Sequence, residues 1–193
     1  MTGAWPSEGD IVVADLEYTA WEGSLEAGWT RPGEHREVVQ IGAVRLDAGD
    51  GFAETAAFEV LIRPTVNPRL SEYFTALTGI DDAALTARGI ALAPALAEFA
   101  RFAGDTTILT NGPDVDVIAE SCRLADTGNI LPPARWQDIS VELGAFFGDT
   151  KVSSYRIPGL LGLAPERGRS HDALDDARAI AAGLRHLRAA GTI

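Results

Sequence analysis

Cysteine is almost missing from this chain: Cys122 is the only one in 193 residues, so no intramolecular disulfide can form. That pattern fits a reducing cytoplasm better than a secreted scaffold, and a lone thiol of this kind is expected to be buried. Long apolar runs are also missing, which excludes a membrane-spanning helix. Residues 1–10 are polar and carry no basic cluster ahead of an apolar stretch, so they do not read as a signal peptide. Positive charge is scarce: 16 Lys and Arg stand against 28 Asp and Glu, a net charge of −12. Such a balance argues against sequence-independent clamping of long duplex DNA, which needs a basic surface to release counterions. It leaves room for a small footprint on a nucleic-acid end, because carboxylates that converge on divalent metal are neutralised there. Internal repeats, low-complexity tracts and evident linkers are absent too, so one domain over residues 1–193 is the simplest organisation.

What is present is patterned. An apolar run, Ile11 to Ala14, leads into Asp15, Leu16, Glu17 and Tyr18 and predicts a strand. Further strands are expected over Val38–Leu46 and Phe58–Ile62, separated by the turn residues Gly49, Asp50 and Gly51. Three strands so close in sequence favour antiparallel pairing. The period then changes. A helix is predicted to begin at Pro68 and run to Leu77, and another to span Pro94–Phe102. Thr106–Thr110 reads as a short strand, Asn111-Gly112-Pro113 as a turn, and the following Val117, Ile118, Cys122 and Leu124 as one helix face. From Asp172 to Leu187, apolar residues recur at helical spacing. Strands first and strand-helix alternation later imply an α/β fold, one mixed sheet flanked by helices.

Acidic residues fall at telling places in this frame. Asp15 and Glu17 are two apart on a strand and project to one face, where mutual repulsion favours Mg²⁺ or Mn²⁺ between them. Asp114 stands where a helix begins, with Val117 and Ile118 to pack it beside the core; Asp116 is the competing acid. His171 and Asp176 are five apart, about 140° on a helix, so both reach one site only if His171 precedes the helix that Asp172 caps. Gly168, Arg169 and Ser170 supply a loop for that purpose. Asp176 then lies nearer the apolar face than Asp175. The segment from Thr19 to Arg36 is long for a connection, and its Trp21 and Trp29 either pack it down or offer stacking faces to bases.

These residues resemble the DEDDh exonucleases of the ribonuclease H-like fold. VVADLEYT is similar to that family's first motif, NGPDVDVI at Asn111–Ile118 to its second and HDALDD at His171–Asp176 to its third. VVQIGAV at Val38–Val44 and YFTALTGI at Tyr73–Ile80 are similar to its second strand and following helix, and the nearest branch is that of the KapD/Eri1-like RNA exonucleases. The resemblance implies antiparallel first strands followed by parallel ones. It further implies two Mg²⁺ or Mn²⁺ ions held by Asp15, Glu17, Asp114 and Asp176, with His171 as general base. Release of nucleoside 5′-monophosphates from the 3′ end of single-stranded RNA or DNA would follow. Tyr18, Thr19, Leu77 and Thr78 are the candidates for holding the terminal nucleotide. Relatives include monomers and homodimers. The competing readings are a proofreading subunit of a DNA polymerase, a catalytically silent binding module on the same fold, and a hydrolase of small phosphoesters.

Overall fold

The computed structural model describes residues 5–150, 152–163 and 171–193. The expected loop at Gly168, Arg169 and Ser170 lies outside those residues. Strand β1, Asp10–Tyr18, is the spine of a five-stranded sheet of order β3-β2-β1-β4-β5. After β1 come a short helix α1, Ser24–Ala27, and then β2, Val38–Asp47, and β3, Ala53–Leu61. As the sequence predicts, β1 and β2 pair antiparallel, as do β2 and β3. Helices α2, Glu72–Thr78, α3, Asp82–Arg88, and α4, Leu92–Ala103, carry the chain to β4, Ile108–Thr110, which lies parallel to β1. Then α5, Asp114–Leu124, leads to β5, Trp136–Asp138, parallel to β4. Helices α6, Ser140–Phe147, α7, Ile157–Leu160, and α8, Ala173–Ala189, complete the fold.

Strand alternation divides the core. Val12, Ala14 and Leu16 face α4 and α5, packing with Phe99, Val117 and Ile118, and Cys122 is buried on this side. Ile11 and Val13 point the other way, into a layer built with Leu143, Ile157, Ile180 and Leu184 from α6, α7 and α8. Burying Ile180 and Leu184 alone contributes roughly 2 kcal/mol each, enough to hold α8 against the sheet. Among the described residues no helix is long and apolar enough to cross a membrane.

Several predicted boundaries move. The first helix after β3 starts at Glu72 rather than Pro68, because the Ser71 hydroxyl accepts a hydrogen bond from the Phe74 N–H and fixes the cap there. Strand β3 begins at Ala53, five residues early; Glu54 to Ala57 are exposed and carry no apolar alternation, so pairing with β2 rather than side-chain burial makes them a strand. Helix α3 went unpredicted although Asp81 caps it through the Ala84 N–H.

The long connection after Thr19 is a structured loop. Its base is closed by the Thr19 N–H donating to the Glu37 carbonyl at 2.9 Å, and by the Glu37 N–H donating to the Thr19 hydroxyl at 2.9 Å. The buried Glu37 carboxylate accepts three backbone N–H bonds, from Thr65 and Asn67 at 2.6 Å and from Val66 at 2.8 Å. Arg36 pairs with Glu120 of α5 at 2.7 Å.

Candidate active site

Asp15 and Glu17 continue the row of Ile11 and Val13 past the end of the apolar layer, at the carboxyl end of β1. Strand β4 runs parallel beside it and ends at Thr110, so Asn111 and Asp114 open next to the two acids. In open α/β sheets this is the crevice where ligands bind.

The fourth acid arrives from α8, and one glycine permits it. Asp15 pairs with Gly42 across the sheet. A Cβ on Gly42 would lie 2.1 Å from the Leu174 nitrogen and 2.2 Å from the Ala173 carbonyl carbon, so the first turn of α8 rests on bare strand backbone. Gln40, opposite Glu17, fixes the helix in that position. Its side-chain carbonyl accepts from the Ala173 N–H at 3.0 Å, and its amide donates to Asp172 at 3.2 Å and to Glu59 at 3.1 Å. Asp172 caps α8 by accepting from the Leu174 and Asp175 N–H groups.

His171 stands just outside the helix, with φ of 63°, an uncommon conformation for a side-chain-bearing residue. Its backbone N–H donates to the Asp176 carboxylate, which brings together two residues that a continuous helix would separate. Ligand atoms of Glu17, His171 and Asp176 all lie within 4.8 Å of one another. Asp15, Glu17, Asp114, His171 and Asp176 line one cleft of about 340 Å³. Asp116, the competing acid, is exposed and outside it, whereas Asp114 is buried.

The electrostatics are strained. Asp15 is held well above the usual carboxylate range by burial and by the charges of Asp114, Asp176 and Glu17, opposed by a hydrogen bond from the Ser154 hydroxyl. Glu17 is pushed up to about 8 by burial and then by Asp176, Asp172 and Asp114. Burial also raises Asp176 to about 7, against the stabilising His171 N–H. Burial lowers His171, so its imidazole is neutral over a wider pH range than a free histidine. Packed carboxylates that resist ionisation together, with hard oxygen donors, fit divalent cations such as Mg²⁺ or Mn²⁺.

Of the four residues expected around a terminal nucleotide, two line the cleft. Tyr18 does, its ring tilted by 55° against Trp29 with centroids 5.5 Å apart, and so does Leu77. Thr19 and Thr78 do not. Thr19 is buried and gives its hydroxyl to the His35 carbonyl, and Thr78 bonds the Phe74 carbonyl and the Ile80 N–H, so both hydroxyls serve the backbone. Trp21 and Trp29 both reach the cleft while packing the loop, the Trp29 indole N–H donating to the Thr19 carbonyl at 2.9 Å. Sequence reasoning missed Gln40, Gly42, Ser154 and Tyr155. A glycine inside an apolar strand signals close backbone approach and was legible; nothing local marks the other three.

The sequence profile of an exonuclease family, RNase_T, matches residues 12–184. No curated protein matches the chain by sequence. Among solved structures, the nuclease domain of 3′hExo, a DEDDh family member bound to rAMP, is 23% identical over 95% of this chain and 94% of its own, with a TM-score of 0.78. Cell-death related nuclease 4 (CRN-4) is 18% identical over 96% of this chain and 65% of its own, with a TM-score of 0.73. ExoI of E. coli, in a complex with single-stranded DNA, is 16% identical over 94% of this chain and 41% of its own, with a TM-score of 0.70. The shared architecture is the ribonuclease H-like exonuclease fold.

Proposed function

We propose, from the premise that this chain belongs to the exonuclease family whose profile spans residues 12–184, that it is a DEDDh-type enzyme removing nucleotides from the 3′ end of single-stranded RNA or DNA. The observation that carries the reading is the meeting of Asp15, Glu17, Asp114, His171 and Asp176 in one cleft from three separate stretches of sequence. A silent binding module would gain nothing from keeping four acids at the cost of their repulsion.

Asp15, Glu17, Asp114 and Asp176 would hold two divalent cations, Mg²⁺ or Mn²⁺. When bound, these neutralise the acids and supply Lewis-acid stabilisation of the charge that develops on the phosphodiester. His171 accepts the proton of the attacking water on an imidazole nitrogen, a role suited to a ring that burial keeps neutral. Tyr18 and Leu77 flank the terminal nucleoside, and its stacking on an aromatic wall tolerates any base. Water attacks the phosphorus on the 5′ side of the terminal nucleoside and the P–O3′ bond breaks, releasing a nucleoside 5′-monophosphate and leaving a 3′-hydroxyl on the shortened chain. Similar structures carrying rAMP and single-stranded DNA support a polynucleotide end as the substrate class.

The test is digestion of 5′-labelled single-stranded RNA and DNA with Mg²⁺, with Mn²⁺ and with chelator. A ladder shortening from the 3′ end only when metal is present is expected, and His171→Ala should slow it by at least ~100-fold with the fold intact. Cleavage restricted to small phosphoesters, or unchanged turnover in His171→Ala, overturns the reading. Copurification with a polymerase and preference for mismatched primers would recast the substrate as a primer terminus.

A further inference from the structure

Residues 152–155 form a wall of the cleft that none of the sequence motifs picks out. Asn111, directly after β4, holds this wall: its side-chain amide donates to the Val152 carbonyl at 2.8 Å and to the Ser154 hydroxyl oxygen at 3.0 Å. The Ser154 hydroxyl, its oxygen held by Asn111, lines the cleft with Asp15 and favours the ionised form of that carboxylate. Ser154 is 8% exposed. Ser154 and Tyr155 belong to a 3₁₀ turn, Ser154–Arg156, in which successive side chains point about 120° apart. Tyr155 accordingly turns from Asp15 to His171, with ring centroids 5.3 Å apart and planes tilted by 46°. His171 lies outside α8, so helix packing does not fix its ring.

We propose that Asn111, Ser154 and Tyr155 form a positioning strut that sets the separation between the Asp15 carboxylate and the His171 imidazole. The proposal rests on the exonuclease reading above for the meaning of that separation. None of the three is a catalytic residue. Ser154 orients one carboxylate, Tyr155 limits the travel of one ring, and Asn111 ties both to the end of a sheet strand. Tyr155 is 45% exposed, too open for the contact to be explained by core packing.

The experiment uses the full chain and reads metal binding, ring environment and turnover separately. Manganese titration without substrate should give Ser154→Ala about 10-fold weaker binding, with Ser154→Thr, which keeps the hydroxyl, near the parent protein. In metal-free NMR spectra the His171 ring protons, assigned by their loss in His171→Ala, should move downfield in Tyr155→Ala as the shielding ring is removed. Tyr155→Ala should lower kcat by about 10-fold with KM nearly unchanged, and Tyr155→Phe should restore most of it. Unmoved ring protons together with parental turnover in Tyr155→Ala, or parental manganese affinity in Ser154→Ala, overturns the strut. If Ser154→Ala fails to fold, the Tyr155 pair decides the matter by the same readouts. An inactive parent protein would sink the exonuclease reading instead, while the titration and the spectra still test the strut.

Discussion

Replacing Glu17 with glutamine should strengthen the metal-free fold while disarming it. Glu17 is 7% exposed, and its carboxyl is pushed from 4.5 to about 8, chiefly by burial and then by Asp176, Asp172 and Asp114. The unfolded chain releases this proton near pH 4.5, whereas the folded protein keeps it until about pH 8. Stability from this group is therefore fully present below the unfolded value and is lost as pH rises through the folded one. Over that window the loss reaches roughly 5 kcal/mol at most. Asp176 moves in the same direction, but the two share their repulsion and their effects do not add. Glutamine keeps the volume and removes the charge. Glu17→Gln should then exceed the parent protein by roughly 2–5 kcal/mol at pH 8 in chelator, or roughly 5–15 °C in Tm for a chain of this size. Calorimetric melting between pH 4.5 and 9 in chelator measures the gap, which should close near pH 4.5. Added manganese should raise the parent's Tm at pH 8 far more than the variant's. A variant that melts at or below the parent at pH 8, or a gap that does not widen with pH, refutes the electrostatic account.

Gly42→Ala should force α8 off the strand, costing roughly 1–3 kcal/mol in thermal melts and weakening manganese binding, since Asp176 travels with the helix. Parental stability in that variant would mean the close approach is dispensable. Asp114→Asn should slow nucleotide release by at least ~100-fold, against about two-fold or less for Asp116→Asn; the reverse order in a gel assay would reassign the second-motif acid. With a net charge of −12, substrate affinity should fall only shallowly with salt, with a log-log slope of about −1.5 or smaller in magnitude. A steeper slope in filter binding would reveal an extended basic track.

Legibility followed locality. The alternation of Asp15 and Glu17, the cap at Asp172 and the buried side of α8 are properties of neighbouring residues, and simple geometry read each from sequence. The same geometry preferred Asp176 over Asp175, and Asp176 is the buried member of the pair. Features set by distant partners were hidden. Strand β5 is three residues long and exists because β4 pairs with it. Ser154 and Tyr155 acquire meaning only when the chain returns beside Asn111. Thr19 and Thr78 looked available because a sequence does not reveal that backbone groups will claim a hydroxyl.

The closure at Thr19 and Glu37 separates two jobs. The seventeen or so intervening residues leave and rejoin the sheet through one narrow neck, stitched by one backbone bond and one to a threonine hydroxyl and locked by a carboxylate that grips the main chain of residues 65–67. Such a neck makes the insert exchangeable. A different aromatic loop could be grafted between the same two anchor points, changing which polymer ends are admitted while the acids on β1 stay where they are.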